Sequence, residues 1–322
     1  MSGLQVIVVG GGLAGLSAAH TVLQAGGRVL VLDKSPFCGG NSTKATSGIN
    51  AAGTRAQRAL NIPDSPEQFE RDTLASAESG ARPDLIHALT HESGPAVEWL
   101  VDSFGLDLSV VGLLAAHTYP RTHRGKDGSE SFPGMMITYR LMEKLDEIVA
   151  DGTGRARLIN KATVTKLLRE GSAVVGVEFI VDGKTCTAYG PVVISTGGFG
   201  ADFTADSLLS RVEKEWRTLP AWQGISLPPL LSLPTTNGPH CTGDGIKLAL
   251  DVGARVVDLR AVQVHPTGLV DPREPDAKVK WLAAEALRGA GGVIIDARGQ
   301  RFCDEVRFKG KAMELYIFIS TS

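Results

Sequence analysis

Three glycines, Gly10-Gly11-Gly12, separate a short aliphatic run from a segment of small and apolar residues at helical spacing. Leu4–Val9 (LQVIVV) reads as a buried strand. Leu13–Gln24 reads as a helix stopped by Gly26 and Gly27. Arg28–Leu32 (RVLVL) is a second strand that ends at Asp33. Strand, glycine turn, helix, strand and acid make a βαβ unit. Within it, Gly10, Gly12 and Gly15 form G-x-G-x-x-G. The first glycine permits the turn, the second lets a pyrophosphate approach the backbone, and the third lets the helix pack on the strand. The helix start adds free N–H groups and partial positive charge. Asp33 follows Gly10 by 23 positions, where a carboxylate can accept ribose hydroxyls. The unit predicts a parallel sheet that binds a dinucleotide, without separating NAD from FAD.

Composition supports a globular protein of this class. The chain has 322 residues, 43% hydrophobic and 21% charged, which excludes disorder, coiled coil and collagen-like repeats. Its 33 basic and 35 acidic residues leave a formal charge of −2, without the basic excess of a nucleic-acid binder. No apolar run is long enough to span a membrane. The four cysteines, Cys38, Cys186, Cys241 and Cys303, show neither disulfide nor zinc-ligand spacing. Reduced thiols in the cytoplasm are expected. A mitochondrial or other organellar address is the alternative if a targeting segment precedes Met1.

Further along, 38–53 reads as a glycine-rich loop and 65–104 as helices opened by Ser65-Pro66 and by Pro83. Residues 117–134 read as a basic loop and 139–150 as an amphipathic helix. Lys161–Arg169, Ala173–Val181 and Lys184–Tyr189 predict an antiparallel meander turning at Gly171 and at Asp182-Gly183. Val192–Ser195 is a strand. Residues 219–240 are a proline-rich excursion, and Thr242 is expected to cap a helix over Thr242–Val252. Val262–Pro266 is an extended run, Ala283–Leu287 a helix and Gly292–Ile295 a strand.

Three further glycine-bearing segments suit a bound dinucleotide. Gly39–Gly48 (GGNSTKATSG) can wrap a pyrophosphate and reach a flavin with backbone amides. Ser195-Thr196-Gly197-Gly198 closes a strand beside the adenosine half, and Thr242-Gly243-Asp244-Gly245 opens a helix.

GGGLAG, LDKSPFCGGNSTKATSGIN, STGGFG, CTGDGIKLALDVGA, VQVHPTG, AAEALRGAGG and RFCDE occur in that order. Together they resemble the fumarate reductase/succinate dehydrogenase flavoprotein family, and most of all its soluble single-chain fumarate reductases. The resemblance covers about residues 3–305. It implies an α/β fold, in which an FAD-binding parallel sheet with a β-meander crossover (1–260) precedes the start of an α+β clamp, or capping, domain (261–322). It implies FAD held by Gly10, Gly12, Gly15, Asp33 and Lys34, by Asn41 and Ser42, and by Ala45, Thr46, Ser47 and Gly48. Val164 would lie near the adenine through its backbone, and Thr196, Gly197 and Asp244 would complete the site.

The implied reaction is hydride transfer from reduced flavin to the double bond of fumarate, giving succinate. His265 would bind a substrate carboxylate, while Glu285 and Arg288, at i and i+3, would relay protons or pair as ions. Aspartate oxidase, urocanate reductase and ketosteroid dehydrogenase chemistries are the related alternatives. A truncated, non-catalytic flavoprotein is another. The electron donor is not legible, for no second G-x-G-x-x-G, haem CxxCH or iron–sulfur cysteine cluster is present.

The pattern departs from the family after Arg301–Glu305. Lys309 falls where similar proteins carry a proton-donating arginine, and Arg307 is out of register. Similar proteins continue well beyond this point, so the chain is expected to be shortened, with a divergent tail from about residue 306. It is further expected not to turn over on its own, with the apolar LYIFI run near the end left without an obvious partner.

Overall fold

The structure is a computed structural model. It describes residues 4–77, 81–114, 117–126, 132–218, 229–262, 265, 267–284, 287, 289, 291–296, 298–302, 305 and 317–320. In chain order the first elements are β1 (Gln5–Val9), α1 (Leu13–Gln24), β2 (Arg28–Leu32), β3 (Ile49–Asn50), α2 (Arg55–Ala59), α3 (Pro66–Ser76) and α4 (Pro83–Phe104). Next come β4 (Val110–Gly112), β5 (Thr122–Arg124), α5 (Pro133–Ala150), β6 (Ala156–Ile159), β7 (Thr163–Glu170), β8 (Ala173–Val181), β9 (Lys184–Tyr189) and β10 (Val192–Ile194). The last are α6 (Leu208–Trp216), α7 (Asp244–Asp251), β11 (Thr267–Val270), β12 (Trp281–Leu282) and β13 (Ile317–Ser320).

The chain divides into two compact units: residues 1–42, 138–263 and 273–280 form one, and 43–137, 264–272 and 281–322 the other. The first unit is built on a parallel sheet of order β10-β1-β2-β6. Ile7, Val8 and Val9 of β1 are all buried, as a strand covered on both faces requires. The meander β7-β8-β9 and α7 pack onto this sheet, with Leu167, Val177, Phe179, Ala188 and Leu248 meeting Ile7, Val9, Leu30 and Leu32. Asp182 (φ 50°) and Gly183 (φ 72°) both take positive φ at the β8–β9 turn, the conformation of a tight hairpin. From α1, Leu16 and Ala19 are fully buried, and the buried His20 ring bonds the Leu141 carbonyl of α5 through Nε2 at 2.8 Å.

In the second unit, Ser65 caps α3 by accepting from the Gln68 N–H at 3.2 Å, with Pro66 at the first helical position. Gly105 closes α4 in the left-handed conformation. The small sheets β3-β5-β4 and β12-β11-β13 complete it.

Several elements differ from the sequence expectation. Strand β5 lies within 117–134, expected to be loop, and α5 begins six residues before the expected start. Strand β6 was not anticipated; it is recruited by parallel pairing with β2, Val29 opposite Ala156. Ile295 makes only an isolated bridge to Arg301 rather than ending a strand over 292–295. The LYIFI run does have a partner: the backbone of β13 pairs in parallel with β11, Thr267 opposite Ile317. Residues 263, 264 and 266 of the run over 262–266, and 285 and 286 of the helix expected over 283–287, lie outside the described set.

Candidate functional site

In the first unit, β1, β2 and β10 end side by side at a cavity of about 250 Å³. The carboxyl ends of parallel strands are where open α/β sheets bind ligands. The glycine turn, the β2 end through Ser35, Gly40–Ser42, Ala162–Val164, Ser195–Gly198 and the start of α7 line it.

The three motif glycines have separate reasons. Gly10 sits at φ +103°, and a β-carbon there would lie 2.5 Å from the Ser195 carbonyl oxygen. A β-carbon on Gly15 would lie 1.8 Å from the Gly10 carbonyl oxygen, so α1 can pack on β1 only without one. Gly12 is different. A β-carbon there would meet only Ser42 Oγ at 3.7 Å and the Gly39 carbonyl at 3.8 Å, so its missing side chain leaves a cradle. That is the shape a pyrophosphate requires at this position.

Asp33 organises the turn. Its Oδ2 accepts the Gly11 N–H at 2.7 Å and its Oδ1 the Ser35 N–H at 2.7 Å. Each carboxylate oxygen keeps capacity for a further donor. Behind the turn, Cys38 is buried against Gly11, and burial, with Asp33 and Asp146, pushes its thiol up to about 12. It is an inert packing residue. Ser42 Oγ accepts the Leu13 N–H at 3.1 Å and so caps α1 from outside the helix, where the N-cap Gly12 has no side chain to do it.

Lys34 Nζ reaches Asp244 Oδ2 at 2.6 Å and Thr242 Oγ1 at 2.7 Å. Burial pushes the Asp244 carboxyl up, but the bonds from Lys34 and Thr242 outweigh it and hold the pKa below its usual value. Thr242 spends its hydroxyl on Asp244 Oδ1 at 2.7 Å and is not the cap of α7; that position falls to Gly243, at φ +70°. Thr196 Oγ1 accepts the Gly245 N–H at 3.0 Å, tying α7 to the end of β10. Asn41 donates from Nδ2 to Asn237 Oδ1 at 2.5 Å and to Cys241 Sγ at 3.0 Å, and accepts the Gly238 N–H at 2.9 Å. Its side chain therefore holds the 237–241 loop.

The cavity thus brings together Gly10, Gly12, Asp33, Lys34, Asn41, Ser42, Val164, Thr196, Gly197 and Asp244, with Gly15 packed behind the turn. Ala45, Thr46, Ser47 and Gly48 belong to the second unit and are not among the lining residues. There Gly48 (φ +131°) places its α-carbon against the His123 carbonyl, and Thr46 Oγ1 is buried with no hydrogen-bond partner among the described residues. His240 and Leu248 line the cavity without having been anticipated. His240 stands in the loop before a recognised glycine motif, which was the available signal. Leu248 looked like any apolar helix residue.

His265 is half-buried in the second unit. Thr267 brackets its Nδ1, with the carbonyl oxygen at 2.8 Å and the amide nitrogen at 3.3 Å. Glu305, from the RFCDE motif, is buried and accepts from Arg301 and from the Ile294 N–H at 2.7 Å. Those bonds, Arg301 first, hold its carboxyl at about 2. Glu285, Arg288, Arg307 and Lys309 lie outside the described residues.

A family model described as FAD binding domain matches residues 5–316. The chain belongs to that FAD-binding family. Its cofactor is FAD, and the cradle at Gly12 fits the pyrophosphate of such a molecule. A fumarate reductase of Schizosaccharomyces pombe is 45% identical over 97% of this chain and 59% of its own length. Fumarate reductase 1 of Saccharomyces cerevisiae is 36% identical over 95% of this chain and 62% of its own. The chain therefore spans about three fifths of these relatives. Among solved structures, an open flavocytochrome c3 fumarate reductase matches with a TM-score of 0.73 and 29% identity, covering 97% of this chain and 50% of that one. Among the described residues, no helix is long and apolar enough to cross a membrane.

Proposed function

We propose that this chain is a flavoprotein of the fumarate reductase type, acting on fumarate and succinate. The observation that carries the reading is the cavity, where six separated segments converge beside the Gly12 cradle. The identity with a fumarate reductase along almost the whole chain supports the substrate assignment.

In this reading Gly12 and the start of α1 hold the pyrophosphate, and Asp33 accepts from ribose. Val164 lies by the adenine, while Lys34, Thr196, Gly197 and Asp244 close the rim. Asn41 and Ser42 shape the turn and offer backbone groups. When bound, FAD supplies the hydride chemistry, and the protein orients and polarises. His265 holds a substrate carboxylate through a ring N–H. Glu285 and Arg288 carry the proton toward the substrate, and residues from 261 onward begin the capping domain. The compartment is the cytoplasm.

The test is to express residues 1–322, supply FAD, and measure retained flavin and then reoxidation of the dithionite-reduced protein. Retained flavin is the expected result, with a single reoxidation faster with fumarate than with urocanate or a 3-ketosteroid and no sustained turnover by this shortened chain. Slow turnover would still support the substrate class. Flavin that is not retained sinks the site, and reoxidation selective for another acceptor sinks fumarate.

A further inference from the structure

Helices α3 and α4 bring three ligand-type side chains together in the second unit. His87 and His91 are four residues apart and share one face of α4. Their ring centroids lie 4.0 Å apart at an interplanar angle of 30°. Glu70 of α3 faces both rings. His87 Nδ1 is 3.3 Å from each Glu70 carboxylate oxygen, and His91 Nε2 is 3.0 Å from Oε2. One ligand atom from each of the three side chains fits within 4.8 Å of the others.

The chemistry of this set is that of a metal ligand group. Two imidazoles and a carboxylate are a zinc-type donor set that leaves a fourth position for water. Ligands held about 2.0–2.2 Å from a tetrahedral ion stand roughly 3.3–3.6 Å from one another. The nitrogen–oxygen separations here, 3.0 and 3.3 Å, are close to that edge length. Glu70 and His91 are firmly placed, at 24% and 27% side-chain exposure, while His87 at 60% can swing to complete the set.

We propose that Glu70, His87 and His91 form a binding site for one divalent transition-metal ion of the zinc type, which staples α3 to α4. Such a tie would lock the helix pair by joining one residue of α3 to two of α4. The site shares no residue with the flavin cavity and does not depend on the functional reading above.

The experiment uses the whole 322-residue chain, stripped with a chelator. Zinc is titrated against a chromophoric competitor, and cobalt(II) is titrated separately and followed by its visible spectrum. The expected result is one ion per chain in the micromolar range or tighter, with a rise in melting temperature that EDTA reverses. The cobalt spectrum should lack a thiolate charge-transfer band, which separates this site from the cysteines. His91→Ala and His87→Ala should each weaken binding by about tenfold or more, with metal-free melting and circular dichroism unchanged. Glu70→Gln should weaken it as well while preserving shape. Absence of saturable micromolar binding, a thiolate band, or undiminished binding in the His87→Ala/His91→Ala double variant would overturn the proposal.

Discussion

The Lys34 ammonium lies 2.6 Å from the Asp244 carboxylate and so joins the end of β2 to the first turn of α7 across the cavity rim. Both side chains are about one third exposed, so water screens the pair. A double-mutant cycle with Lys34→Met and Asp244→Asn should give a stability coupling below about 1 kcal/mol. Because the Asp244 pKa is depressed, this contribution is present above pH 3.8 and lost as the pH falls through the folded-state value. Flavin retention should suffer more than stability. Asp244→Asn should raise the apparent FAD dissociation constant by about tenfold, the scale of one charged hydrogen bond. Unchanged retention would leave the pair a fastener only.

Gly12 and Gly15 should fail in opposite ways. The β-carbon of Gly12→Ala has room in the protein, so the variant should fold, melt near the parent and lose flavin. Gly15→Ala puts a β-carbon 1.8 Å from the Gly10 carbonyl oxygen, so it should cost at least the 1–3 kcal/mol typical of overpacking. Melting curves and flavin absorbance on both variants check the contrast. Flavin retained in Gly12→Ala would remove the cradle from the argument.

Arg121 is fully buried between two acids, bonded to Asp64 at 2.9 and 3.1 Å and to Asp72 at 2.7 Å, and it lies over the Phe69 ring at 4.5 Å. Burial raises the Asp64 pKa despite Arg121, so the acid relies on its partner to stay ionised. Arg121→Ala strands both carboxylates and should cost about 3–5 kcal/mol in denaturant unfolding. Arg121→Lys lacks the planar fork and should recover only part of that.

His117, edge-on to Phe69, is held neutral: burial and Arg121 lower its pKa from 6.5 to about 4, against a smaller opposing effect of Asp72. The unfolded chain therefore binds a proton between pH 6.5 and 4 that the folded chain refuses. Its stabilising share is complete above pH 6.5 and is lost as the pH falls to about 4, amounting to about 1–3 kcal/mol. Its Nδ1 has no hydrogen-bond partner among the described residues, so His117→Phe sacrifices little there. That variant should flatten the stability–pH curve across this window. His20 and His123, also lowered by burial, would leave a residual slope. An unchanged curve would mean that His117 is solvated in solution.

The βαβ unit was legible in the residues because everything that makes it is local. Aliphatic runs, helical spacing and glycines that tolerate tight approach act within about thirty positions, so β1, α1, β2 and the Gly10–Gly15 turn stand where the sequence places them. The meander was legible for the same reason, since Asp182-Gly183 dictates its own turn. Pairing and charge burial act across long separations and were decided only by the tertiary structure. Ala156–Ile159 is a strand because β2 offers it an open edge, and Ile317–Ser320 because β11 does. Arg121 looked like one basic residue in a loop, yet Asp64 and Asp72, 57 and 49 positions away, make its burial affordable. Asn41 looked like a cofactor ligand, and its amide also secures a loop almost two hundred positions downstream. Residue type announces what a side chain can bond to, but the partner it finds depends on which distant segments the fold brings within 3 Å.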